Sequence, residues 1–104
     1  MANPPDISIV VPAFNEAKSL AQVLEKIHAL NLPKVEIIVV DDGSSDGTAE
    51  VAMNAGANVV RHPYNIGNGA AVKSGMRAAQ GSLIVLMDGD GQHKPEDIPK
   101  LLAE

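Results

Sequence analysis

The chain has no cysteine and no tryptophan, and its only aromatic residues are Phe14 and Tyr64. Disulfides, thiolate metal sites and cysteine nucleophiles are therefore excluded. So few rings also argue against single-strand nucleic-acid binding by base stacking. Cationic residues are scarce: eight Lys and Arg stand against thirteen Asp and Glu, for a net charge of −5. That balance disfavours a broad nucleic-acid or anionic-membrane surface but leaves room for a local anion site. No apolar run approaches the roughly 18 residues of a membrane-spanning helix. The opening Met-Ala-Asn-Pro-Pro-Asp has neither a basic region nor an apolar one, so no signal peptide is visible and a cytoplasmic location is expected. The length of 104 residues allows one small domain, and a 45% hydrophobic content marks it as globular, with a core of Val, Ile, Leu, Ala and Met.

Short β-branched runs alternate with amphipathic segments. Ile7 to Val11 reads as a first strand, closed by Pro12. Residues 16–31 carry Leu20, Val23, Leu24, Ile27 and Leu30 at helical spacing. Val35 to Val40 is a second strand stopped by Asp41-Asp42-Gly43. Asp46 is a candidate N-cap for a helix reaching about Ala55, with Gly56 as its stop. Asn58 to Arg61 forms a third strand, about Gly69 to Gln80 a helix, and Ser82 to Met87 a fourth strand. Pro95 to Glu104 opens a last helix with proline in its first turn. This βα alternation predicts an α/β, Rossmann-like parallel sheet with helices on both faces, and continuous apolar strands suit a doubly covered sheet. Ligands of such sheets bind beyond the carboxyl ends of the strands, where strand order reverses. For the order 3-2-1-4, that point lies between strands one and four.

Three polar loops are expected to converge there: Pro12 to Glu16 after strand one, Asp88 to Gln92 after strand four, and, flanking them, Asp41 to Thr48 after strand two. Leu86-Met87-Asp88-Gly89-Asp90-Gly91-Gln92-His93 places two carboxylates one residue apart, facing one side if the backbone is extended. Such hard oxygen donors suit Mg²⁺ or Mn²⁺ bound together with phosphate oxygens. Asp41-Asp42 stands at a buried strand end, where a carboxylate needs a partner and can accept from a base N–H or a ribose hydroxyl. Asn65 to Ser74 fits neither a P-loop nor a Rossmann fingerprint, since Val72 occupies the decisive position. It still supplies a glycine-eased helix start with backbone N–H groups for an anion. Lys73 and Arg77 share a solvated helix face. His28 is expected on the exposed side of its helix and His62 in a loop, while His93 follows Asp-x-Asp-x-Gln and is the histidine of interest. No converging Ser-His-Asp set is read from the sequence.

These motifs together resemble the nucleotide-sugar-binding half of a family 2 glycosyltransferase of the GT-A fold. The resemblance is carried by Val10 to Glu16, by Ile38 to Thr48, by Asn65 to Gly69, and by Met87 to Glu96 with its Gln-His-x-Pro-Glu sequence. It leans toward the branch of dolichyl-phosphate mannose synthase and its bacterial polyprenyl-phosphate relatives. It implies that Pro12, Phe14, Asn15 and Glu16 form a first nucleotide-contacting loop, with Val40 and Asp42 at the base. It implies Asp88 and Gly89 near ribose and diphosphate, and a divalent ion, Mg²⁺ or Mn²⁺, on Asp90 and Gln92 with Asp88. The implied donor is a GDP- or UDP-linked sugar, the acceptor a polyprenyl phosphate, and the reaction an inverting transfer at a membrane face.

Family members run on past residue 104, so the chain reads as a donor-binding half that binds but turns over poorly, any general base lying further along. Glu96 and Asp97 come too soon after the metal motif to serve as one. Segment 82–87 would then be an apolar edge strand, open to self-association. Two rival readings use other chemistry. One is a non-catalytic nucleotide-binding or assembly module; the other is a nucleotidyltransferase, which would carry a glycine-rich basic loop where Ala13-Phe14-Asn15-Glu16 stands.

Overall fold

The computed structural model describes residues 5–87. Seven elements follow in order: β1 (Ile7–Ala13), α1 (Ala17–Ala29), β2 (Val35–Asp41), α2 (Thr48–Asn54), β3 (Asn58–Arg61), α3 (Asn68–Ala78) and β4 (Leu83–Leu86). The four strands form one sheet in the order β3-β2-β1-β4, with every neighbouring pair parallel, as the alternating pattern predicts. The expected final helix from Pro95 lies outside the described residues. No described helix is long and apolar enough to cross a membrane.

Successive strand residues point to opposite faces, so β1 and β2 each feed two cores. Ile9, Val11, Ile37 and Val39 pack with Leu20, Val23, Leu24 and Ile27 of α1 and Ala52 of α2. Val10, Ile38 and Val40 face the other way, onto Ala71 of α3. Both faces of the central strands are covered, which is why their sequences are unbroken runs of branched residues.

On the second face, α3 lies unusually close to the sheet. A Cβ at Gly75 would overlap Val10 Cγ1 and stand 3.2 Å from Val40 Cγ2. Its C-terminal end is pinned by Glu36, whose Oε2 accepts from Ser8 Oγ (2.5 Å) and from the Gln80 amide (2.6 Å). The Gly81 amide in turn donates to Ser8 Oγ at 2.8 Å. This anchoring stands at the amino ends of the strands, away from the switch point.

The last strand is shorter than its sequence implies, because its pairing with β1 runs only from Ile7↔Leu83 to Val10↔Leu86. Among the described residues β4 pairs with β1 alone, and Leu83 and Leu86 are exposed at 46% and 47%.

The contact at Gly75 yields a stability test. Gly75→Ala should gain about 1 kcal/mol of helix propensity, but overpacking against two stiff valines costs about 1–3 kcal/mol. A lowered midpoint in chemical denaturation is the expected outcome.

Candidate functional site

At the carboxyl ends of β1 and β2, beside the start of α3, lies a cleft of about 260 Å3. Pro12, Phe14, Glu16 and Asp42 line it, together with Asn65, Gly67 and Asn68. It opens on the α3 face of the sheet, lined from the ends of β1 and β2 and from the start of α3, and not from β4. Met87, just past β4, is buried in the core on the α1 face, and its amide donates to the Val10 carbonyl at 2.9 Å.

Asp42 is 4% exposed and heavily hydrogen-bonded. Its Oδ1 accepts from His62 Nδ1 (2.7 Å) and from the Ile66 amide (3.0 Å). Its Oδ2 accepts from the Gly67 amide at 2.9 Å. Because an ionised carboxylate offers no proton, His62 must present Nδ1–H to it. The other ring nitrogen of His62, Nε2, lies 2.8 Å from Ser74 Oγ on α3. Burial pushes the Asp42 carboxyl upward, but the His62 bond, the two amides and the imidazole charge outweigh it and hold it below its ordinary 3.8.

Asp41 turns to the opposite side of the sheet. It is fully buried, its Oδ1 accepts from the Ser44 amide at 2.9 Å, and its Oδ2 stands 3.6 Å from Arg61 Nε. That last separation is an ion pair too long for a hydrogen bond. Thus the two adjacent carboxylates divide, Asp42 toward the cleft and Asp41 into the scaffold.

The loop after β2 is tied to the loop after β1 by several bonds. Asp46 Oδ1 accepts from the Thr48 amide (3.1 Å) and from the Thr48 hydroxyl, while its Oδ2 accepts from the Ala17 amide at 3.2 Å. One carboxylate therefore serves the starts of both α1 and α2, and the Thr48 bonds hold it below the ordinary carboxylate range. The α2 helix begins at Thr48, with Gly47 left-handed before it. Thr48 Oγ1 also accepts the Glu16 amide at 3.1 Å.

The expected site residues fall into three groups. Pro12, Phe14, Glu16 and Asp42 come together around the cleft. Asn15 instead works as a staple: its amide donates to Ser44 Oγ (2.8 Å), and its Oδ1 accepts from the Ser45 amide (2.9 Å). The Val40 side chain is fully buried under α3, so only its backbone can serve a ligand. Asp88, Gly89, Asp90, Gln92 and His93 lie outside the described residues. Among the described residues, no cluster of three or more His, Asp or Glu could hold a metal ion.

Two residues matter more than their sequence context suggests. His62, expected in a plain loop, is buried and joins Asp42 to Ser74, so a linear Ser-His-Asp chain does exist in the fold. The Ile66 and Gly67 amides, expected to await an anion, are already held by Asp42. The missed signal was topological: Asp41 pairs with Arg61, which brings residues 42 and 62 side by side. His28 is exposed as expected, with Nε2 2.7 Å from the Ala55 carbonyl.

A carboxyl held below its ordinary value stabilises the fold above the unfolded-state pKa, and that contribution disappears as pH falls through the folded value. Asp42→Asn should lower stability at pH 7 by about 2 kcal/mol. Thermal unfolding from pH 7 to 3 should show the gap between wild type and variant narrowing below about pH 4.

Comparison with known proteins agrees with this geometry. The model of the family described as "Glycosyl transferase family 2" matches residues 8–104. A dodecaprenyl-phosphate galacturonate synthase of Rhizobium johnstonii is 38% identical over 108 residues, covering 95% of this chain and 32% of that protein. The glucosyl-3-phosphoglycerate synthase of Mycobacterium tuberculosis, solved with UDP, superposes with a TM-score of 0.81 at 33% identity, over 95% of this chain and 39% of that one. A mannosyltransferase from Pyrobaculum calidifontis, solved with GDP-Man and Mn²⁺, gives 0.77 at 28% identity, over 86% and 28%. The chain spans between 32% and 44% of the length of the first curated relatives it matches. Its sheet order, its cleft at the carboxyl ends of β1 and β2 and this family match together make the chain a member of glycosyltransferase family 2, with the Rossmann-like half of a GT-A fold.

Proposed function

We propose that the chain is the donor-binding half of a metal-dependent, inverting glycosyltransferase that uses a nucleoside-diphosphate sugar. The observation that carries this reading is the cleft at the strand ends, where Pro12, Phe14, Glu16 and Asp42 converge beside the start of α3. Phe14 is 42% exposed and offers a ring face to a base, and Asp42 offers a carboxylate to its N–H groups. Relatives solved with UDP, or with GDP-Man and Mn²⁺, favour a donor of this class.

Asp88, Asp90 and Gln92 bring only hard oxygen donors, a set that fits Mg²⁺ or Mn²⁺. A divalent ion held there supplies Lewis-acid neutralisation of the charge that develops on the departing diphosphate. In an inverting transfer the acceptor attacks the anomeric carbon opposite that leaving group. A polyprenyl phosphate, the acceptor class suggested by relatives such as the dodecaprenyl-phosphate enzyme, is ionised near neutral pH and has little need of a general base. Such an acceptor places the reaction of the whole protein at a membrane face. The 104 residues by themselves bind donor and turn over slowly, with acceptor binding assigned to the length that the relatives have in addition.

Calorimetric titration with UDP and with GDP, with and without Mn²⁺, tests the reading. Binding should require Mn²⁺ and weaken at least about tenfold in Asp90→Ala, a change of about 1.4 kcal/mol. Metal-independent binding, or an unaffected variant, would remove the metal from the reading. Rapid glycosyl transfer by the 104-residue chain would contradict its assignment as a donor half.

We also propose that β4, which among the described residues pairs with β1 alone, pairs along its other edge with the β4 of a second copy. Sedimentation velocity at rising concentration should show dimers, and Leu86→Lys should shift them to monomer.

A further inference from the structure

We infer that His62 sets the base preference of the cleft: by occupying acceptor capacity on Asp42, it leaves one acceptor position, which suits a uracil edge and rejects guanine. The inference rests on the donor-nucleotide reading above and deepens it.

A carboxylate has two oxygens and about four acceptor positions. On Asp42, Oδ1 already takes His62 Nδ1–H at 2.7 Å and the Ile66 amide at 3.0 Å, which fills it. Oδ2 takes the Gly67 amide at 2.9 Å, and one position remains. Guanine presents N1–H and N2–H side by side, and a bidentate carboxylate must offer a free position on each oxygen. Uracil presents a single N3–H between two carbonyl oxygens and needs one acceptor flanked by donors. Asn65 and Asn68 line the same cleft and carry amide donors suited to those carbonyls.

The census matters only if Asp42 cannot rearrange, and several contacts prevent it. His62 is buried and held at its far nitrogen by Ser74 Oγ, 2.8 Å away on α3. At Gly43 the 62–67 loop packs so tightly that a Cβ would stand 2.5 Å from the Asn65 nitrogen and 2.8 Å from Tyr64 Cα. Gly43 itself has φ +80°, which side-chain-bearing residues rarely adopt. With residue 43 packed against the loop backbone, the carboxylate has little freedom to turn and present both oxygens to a ligand. A base that leaves a buried donor unpaired loses far more affinity than one that merely fills space less well. His62 is thus a positioning residue that acts through Asp42.

Calorimetry with UDP and GDP in the presence of Mn²⁺ tests this on the chain and on two variants. Wild type should prefer UDP at least about tenfold, equivalent to about 1.4 kcal/mol. His62→Leu removes the side-chain donor that holds Oδ1 away from the cleft, so the carboxylate can turn both oxygens to a ligand, and the preference should fall below about threefold, mainly through tighter GDP binding. His62→Asn, whose amide reaches the place of Nδ1–H, should restore it. Equal binding or a GDP preference in wild type would overturn the inference while leaving the donor reading intact. An unchanged ratio in a folded His62→Leu protein would overturn it as well. Failure of a folded chain to bind either nucleotide would overturn the donor reading and this inference with it. Long-range ¹H–¹⁵N correlation spectra of wild type give a check that needs no variant. They should show the His62 ring protonated at Nδ1, and a neutral ring protonated only at Nε2 would refute the lone-pair census.

Discussion

A buried carboxylate must be surrounded by donors before a chain can close over it, and at Asp42 that requirement organises the whole upper edge of the sheet. Left unpaired, the charge would cost several kcal/mol or more. Its donors, His62, Ile66 and Gly67, span the connection from the end of β3 to the start of α3. One side chain therefore fixes both ends of a connection that lies 20 to 25 residues further along the chain. The same group lines the cleft. A wall assembled by internal hydrogen bonds is ordered before any ligand arrives, so binding does not have to bear the entropy of ordering it.

The other face of the sheet shows the complementary use of acidic residues. Asp41 and Asp46 turn their oxygens to Ser44, Arg61, Thr48 and Ala17, tying the loops after β1 and β2 to each other and to two helix starts. Asn15 adds a brace across the same gap, donating its amide to Ser44 Oγ and accepting from the Ser45 amide. An acidic loop thus divides by strand parity: residues on the α3 side meet the cleft, and their immediate neighbours build the support beneath it. That division explains how a chain with thirteen acidic residues can place two carboxylates in sequence at a buried strand end.

The sheet was legible because its causes are local and periodic. Branched runs bounded by Pro, Asp and Gly mark the strands, and the residues of α1 at helical spacing are the ones it buries. Strand order alone points to the carboxyl ends of the strands, between β1 and β4, whereas the cleft is lined by the ends of β1 and β2 and the start of α3. Side-chain roles that depend on a neighbour from another strand were less visible. His62 reads as a loop histidine until the pairing of Asp41 with Arg61 brings its position beside Asp42. Asn15 lies in a contact-loop sequence, yet a left-handed backbone at φ 51° turns it toward the Ser44–Ser45 turn. Val40 lies on the α3 face, where packing against Val10 and Ala71 claims its side chain. Local composition can name a loop as polar, but only register decides which polar group meets which.

Register also explains the proline in a central strand. Proline has no N–H, and an interior strand normally excludes it for that reason. In β1 the odd-numbered residues serve β2, whereas the Val10 carbonyl accepts from Met87 on the β4 side. The parallel ladder would next require the residue-12 amide to donate to Met87, and Pro12 cannot supply it. The β1–β2 pairing continues through Pro12↔Val40 to Ala13↔Asp41, while among the described residues the β1–β4 pairing runs to Val10↔Leu86. Proline thus costs the sheet nothing on one side and cancels a rung on the other. The cancelled rung lies beside the cleft that Pro12 lines, and in sequence Asp88 of the Asp-x-Asp motif follows Met87 directly. The missing hydrogen-bond donor thus removes the rung that β1 would otherwise give to the Met87 carbonyl.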